Sequence, residues 1–142
     1  MAPFPDATVL AFDFGTRRIG VAVANTLTRS AQALTTLVAT GSETPFDAIG
    51  ELIDAWQPSQ LVVGLPVHAD GTPHAMTARA RRFAHLLESR FGRPVALVDE
   101  RWTSGAAAQA LRDRGHGGRE ARAKRDEAAA QIILQAWLDE SR

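Results

Sequence analysis

One acid inside an apolar strand constrains this chain more than any other feature. Ala7 to Phe14 reads ATVLAFDF, an apolar run rich in strand formers that suits a strand buried on both faces. Asp13 stands within it, flanked by Phe12 and Phe14. An unpaired carboxylate is costly in such a place, so a partner or a function must hold it there. Side chains alternate across a strand, which puts Asp13 on the same face as Val9 and Ala11. The competing assignment makes Asp13 a cap for the amides of Gly15 and Thr16. Gly15-Thr16-Arg17-Arg18 reads as a turn and Ile19 to Ala24 resumes the apolar pattern, so a β-hairpin is expected.

The rest of the chain supplies alternating elements. Leu34 to Ala39 is a third expected strand. Thr44 is placed to cap a helix with Pro45 at its first position, and Phe46, Ile49, Leu52, Ile53 and Trp56 form its apolar stripe. Pro58 stops that helix before a buried strand, Gln60 to Pro66. A helix over Ala75 to Phe91, a strand over Pro94 to Glu100, a helix from Thr103 to about Arg114 and a last helix from about Lys124 to Glu140 follow. Trp56 and Trp137 fall on apolar stripes and are expected in the core. The order predicts one α/β domain over residues 1–142, with a mixed five-stranded sheet that joins an antiparallel meander to parallel strands. With 45% hydrophobic and 23% charged residues, a chain of 142 residues can bury a core without a staple.

Several functional classes drop out. The chain has no cysteine, which excludes a disulfide framework, a zinc finger and a thiol nucleophile. No apolar run approaches the ~20 residues that span a bilayer, and the N-terminus lacks the pattern of a signal peptide. The expectation is a cytoplasmic protein with no membrane partner. Net charge is zero but uneven. Residues 1–71 carry three Arg against seven acids, and residues 72–142 carry thirteen Lys or Arg against nine acids. Arg112 to Arg125 alone holds six basic residues, two acids and three glycines. Within it, Arg112 to Lys124 is expected to be a mobile basic flap, with Arg114, Arg119, Arg122 and Lys124 able to grip phosphates. The plain alternative is a solvated loop. Arg17 and Arg18, beside the first turn, are further phosphate-contact candidates, although alternation makes one of them point away.

Two more acids complete a constellation. Glu100 ends the fifth expected strand, where open α/β sheets place their ligands, and shares a face with Val98 and Ala96. Asp126 precedes Ala129, Ala130, Ile133 and Trp137 at helical spacing, so it lies on the stripe that faces the sheet. The plainer readings are a solvated strand end for Glu100 and, for Asp126, an acid complementing the helix dipole. If Asp13, Glu100 and Asp126 converge, a cation must offset their repulsion. Oxygen-only ligands suit Mg²⁺ or Mn²⁺, the ions of phosphodiester hydrolysis.

Four segments, DFGTRRIGVAVA at 13–24, GLPVHADGT at 64–72, DERWTS at 99–104 and RDEAAAQIILQ at 125–135, resemble the YqgF/RuvX family. This is the branch of the RNase H superfamily that is like Holliday-junction resolvases. The resemblance runs from about Thr8 to Trp137. It implies an RNase H-like fold, metal-binding and catalytic acids at Asp13, Glu100 and Asp126, and a cytoplasmic nuclease that trims the 5′ end of precursor 16S rRNA. The implied partner is nucleic acid, either precursor rRNA or branched DNA, bound by a monomer or weak homodimer. The chain departs from the related RuvC resolvases at Ala129, where they carry a further acid. Two alternatives share the fold: a junction-DNA resolvase and a non-catalytic RNA-binding assembly factor. Asp-Phe-Gly-Thr also resembles the first phosphate loop of actin-like kinases, but those need two such domains.

Overall fold

The structure, a computed structural model, describes residues 7–41, 43–67, 70–72, 74–100 and 118–140. Three strands open the chain, β1 (Thr8–Asp13), β2 (Arg18–Asn25) and β3 (Ser30–Val38). They pair antiparallel, with Asp13 opposite Gly20 at one end of β1 and Thr8 opposite Asn25 at the other. Helix α1 (Phe46–Trp56) leads to β4 (Gln60–Leu65), and α2 (Thr77–Phe91) leads to β5 (Val95–Asp99). Both later strands run parallel to β1, giving the order β3-β2-β1-β4-β5. The expected meander with parallel additions is what forms.

Each face of the sheet has its own core, as the period-2 reading of β1 requires. Leu10, Phe12, Val21 and Val63 pack with Ile49 and Ile53 of α1 and with Phe83 and Leu87 of α2. Val9, Ala11, Ala22, Val62 and Val98 face the last helix, α3 (Arg119–Glu140), and meet its Ala130, Ile133, Leu134 and Leu138. Small residues on the strands let α3 lie close to the sheet. Trp137 packs partly buried against this second cluster.

Helix α3 also closes the outer edge of β3. Gln135 accepts the Ala31 N–H through Oε1 at 3.0 Å, and Gln131 donates through Nε2 to the Ala31 carbonyl at 2.9 Å. Gln135 Nε2 further donates to the Arg29 carbonyl at 3.2 Å.

Several local expectations need correction. β3 starts at Ser30 rather than Leu34, because its outer residues are polar and hide the strand from a search for apolar runs. Pro45, not Thr44, is the N-cap of α1, with no side-chain cap bond; the Thr44 carbonyl instead accepts the Phe46 N–H at 2.8 Å. Trp56, the last residue of α1, is 40% exposed rather than core. Most consequentially, α3 begins at Arg119, about five residues before the expected start. Past Gly118 the segment REARAKR has only good helix formers, so propensity continues the helix where apolar spacing gives no signal. Arg119, Arg122 and Lys124, expected in a mobile flap, are therefore helical. Arg114, the expected Thr103–Arg114 helix and the first part of that flap lie outside the described residues.

Candidate active site

Asp13 ends β1 and is 8% exposed, at the centre of the sheet. Glycines flank it on both sides. Gly20 is its partner on β2, and Gly64 follows Val63, the β4 partner of Phe12. Alternation directs both glycine positions toward α3, as it does Asp13. A Cβ on Gly20 would lie 1.9 Å from the Asp126 carbonyl oxygen and 3.0 Å from the Asp126 Cβ. A Cβ on Gly64 would lie 2.4 Å from Ile133 Cδ1 and 3.2 Å from Glu100 Oε2. Asp126 thus rides over one glycine and the Glu100 carboxylate over the other, with Asp13 on the strand between. Adjacent strands are about 4.8 Å apart, so the three acids occupy neighbouring columns of one sheet face. Glu100 is 7% exposed and follows β5 directly.

The three do not close into a ligand cage in this arrangement. Among the described residues, no group of three or more acidic or imidazole side chains is close enough to hold an ion. Asp126 is engaged by Arg18 at the start of β2, whose Nε donates to Oδ2 at 2.6 Å in a half-buried ion pair. Arg18 is two residues from Gly20 on the same strand, which explains why it reaches the acid side while Arg17 is exposed. The long N-terminal extension of α3 bears on Asp126 too. The residue sits in the helix's third turn rather than its first, and a helix dipole acts on charges only within the terminal turn. A dipole-complementing acid is therefore no account of Asp126. Arg119 and Lys124 are exposed on the same helix, and Arg122 is half-buried.

Sequence reasoning missed the two glycines that admit Asp126 and Glu100 to the sheet. Their signal was present, since a glycine inside a strand marks a close approach of another group. It also missed the Arg18–Asp126 partnership, which joins residues 108 positions apart.

A model of the RuvX family, described as Holliday junction resolvase, matches residues 7–140. The chain belongs to the RuvX family. Within it, the chain is 53% identical over 135 residues to a protein of Burkholderia lata named "Putative pre-16S rRNA nuclease", covering 95% of this chain and 91% of that one. A Burkholderia multivorans protein of the same name is 52% identical over the same span. Among solved structures, Thermus thermophilus RuvC in complex with a Holliday junction substrate is similar at a TM-score of 0.55 and 18% identity, covering 92% of each chain. The yeast mitochondrial Holliday junction resolvase is similar at a TM-score of 0.53 and 12% identity, over 95% of this RuvX chain and 79% of that one. These structural likenesses speak for the fold, which is RNase H-like. No described helix is long and apolar enough to cross a membrane.

Proposed function

We propose that this protein is a metal-dependent endonuclease that processes the 5′ end of precursor 16S rRNA in the cytoplasm during ribosome biogenesis. The observation that carries this reading is the alignment of Asp13, Glu100 and Asp126 on one sheet face, with glycine positions opening the space around them. The names of the Burkholderia relatives support the substrate. The donor set consists of carboxylates only, which fits Mg²⁺ or Mn²⁺. Asp13, Glu100 and Asp126 would hold the ion, and such an ion supplies an activated water and charge stabilisation for the leaving oxygen. Of the protein's own groups, Asp13 and Glu100 stand on or beside the rigid sheet and fix the centre. Asp126 comes from α3, and its engagement with Arg18 keeps the acids from repelling one another when no metal is bound. Arg18 is also positioned to meet a phosphate oxygen, while Arg17, Arg119, Arg122 and Lys124, with Arg114, are available to the flanking backbone.

Cleavage of a labelled precursor rRNA fragment, with Mn²⁺ or Mg²⁺ added and beside Asp13→Asn, tests this reading. Metal-dependent cutting that the variant abolishes supports it. Cutting of a matched four-way DNA junction instead of the RNA assigns resolvase activity. RNA binding without cutting by either protein assigns the non-catalytic assembly role, which the Arg18–Asp126 pair favours because it occupies one of the three acids.

A further inference from the structure

On the opposite sheet face from the three acids, a cleft of about 190 Å³ opens between α2 and the β1–β2 turn. Arg79, Arg82, Phe83 and Leu86 of α2 form one wall, with Thr16 of the turn, Thr44 before α1 and Phe14 completing the lining. Phe14 stacks on Phe83 with ring centroids 4.7 Å apart, which gives the cleft an apolar backing. No carboxylate lines it.

The charges here lack internal compensation. Arg79, Arg81 and Arg82 fall within four residues, and like charges at i, i+3 destabilise a helix. Glu88 is the one acid in α2, and it lies beyond the cleft. Among the described residues, the guanidinium of neither Arg79 nor Arg82 has an ion pair or a hydrogen-bonded partner. Arg90 of the same helix shows the contrast, for its guanidinium lies 4.1 Å from the centroid of the Phe46 ring. Arg79 and Arg82, both exposed, line the recess together with Thr16 and Thr44, which gives it several donors and a net positive charge. The ligand that satisfies it is a tetrahedral oxyanion, above all a phosphate group, which accepts hydrogen bonds from both types of donor.

Position identifies what the phosphate belongs to. Phe14 and Thr16 belong to the same turn that begins after Asp13, so the cleft opens at the same edge of the sheet as the acids. We propose that the Arg79–Arg82 cleft is a phosphate subsite that grips the backbone of a nucleic-acid strand a few nucleotides from the bond facing Asp13. The assignment to a polynucleotide rests on the nuclease reading, whereas phosphate binding in the cleft stands without it.

The test measures binding of a labelled single-stranded RNA to the full chain carrying Asp13→Asn, in EDTA, so its outcome does not depend on cleavage. Arg79→Gln/Arg82→Gln in that background should weaken binding by roughly tenfold or more and lower the salt slope by about one. Arg81→Gln, on the same helix but outside the cleft, should do much less. In an NMR titration the RNA should shift the amides of Thr16 and Thr44. Equal binding by the double variant and the parent, at matched melting temperature, overturns the proposal. If inorganic phosphate or a mononucleotide shifts Thr16 and Thr44 while RNA does not, the cleft serves a small phosphate ligand and the polynucleotide assignment is overturned. Failure of the nuclease reading shows separately, as absence of metal-dependent cutting.

Discussion

Gly20→Ala is the sharpest probe of how the helix bearing Asp126 meets the sheet. The new methyl carbon would sit 1.9 Å from the Asp126 carbonyl oxygen, whereas real Cβ contacts essentially never fall below 3.0 Å. The helix must therefore back away from β2 by about 1 Å, and a gap of that size forfeits roughly a quarter to a half of each dispersion contact it opens. Ala129, Ala130 and Ile133, all fully buried, lie on the face that moves. Overpacking typically costs about 1–3 kcal/mol, and an obstacle made of backbone belongs at the upper end. The gain from replacing a strand glycine, about 0.5–1 kcal/mol, offsets only part of this. A net loss near 2 kcal/mol corresponds to a fall of roughly 6–8 °C in melting temperature for a domain of this size. Gly64→Ala meets Ile133 Cδ1, the end of a flexible side chain, and should cost under about 1 kcal/mol because that chain can re-orient. Gly118→Ala meets nothing within 4 Å and serves as the control. Thermal unfolding of the three variants in EDTA decides the matter. If Gly20→Ala melts within about 2 °C of the parent, or if Gly64→Ala is the more damaging, helix α3 does not lie on β2 as described.

Three further outcomes follow from the site and its supports. In a double-mutant cycle, Arg18→Ala and Asp126→Ala should show a coupling of about 0.5–1.5 kcal/mol in metal-free protein that shrinks in high salt, as a half-buried pair requires; additive losses would deny the ion pair. Mn²⁺ at a hundred times its dissociation constant should stabilise the parent by about 2.7 kcal/mol, and Asp13→Asn should abolish that gain without lowering metal-free stability; equal stabilisation of both proteins would remove Asp13 from the metal site. Gln131→Ala and Gln135→Ala should each cost about 1 kcal/mol and speed hydrogen exchange at the Ala31 amide most in Gln135→Ala, whose side chain accepts that proton; unchanged exchange would show the contact is not formed.

What was readable in the chain follows from which physical signals are local. The alternation of Val9, Ala11 and Asp13 against Leu10 and Phe12 marks both faces of β1, and Val9 and Ala11 lie in one cluster and Leu10 and Phe12 in the other, as alternation assigns. The spacing of Asp126, Ala130 and Ile133 identifies the face of α3 that meets the sheet in the same way. Long-range pairings carry no such mark. Nothing near Arg18 announces Asp126, and nothing near Arg79 announces Thr16 or Thr44, because the fold alone makes them neighbours. The start of α3 was missed for another reason. Residues Arg119 to Arg125 are held helical by propensity rather than by burial, so a search for apolar periodicity passes over them. Trp56 shows the converse error, since an apolar stripe says nothing about where the last turn of a helix outruns the core.

The two glutamines on α3 bear on how copies of this protein behave toward one another. A side-chain carboxamide presents the same donor and acceptor as a peptide group, so Gln131 and Gln135 set before Ala31 what an adjoining strand would offer. An outermost strand with open backbone groups is a template for accretion of further chains. Here the first residues of β3 are already answered from within the same molecule. A second copy seeking to extend the sheet at this point would have to displace a helix anchored by Ile133 and Leu134, both completely enclosed. The helix that carries Asp126 over the sheet thus also keeps crowded chains from zipping together along this margin.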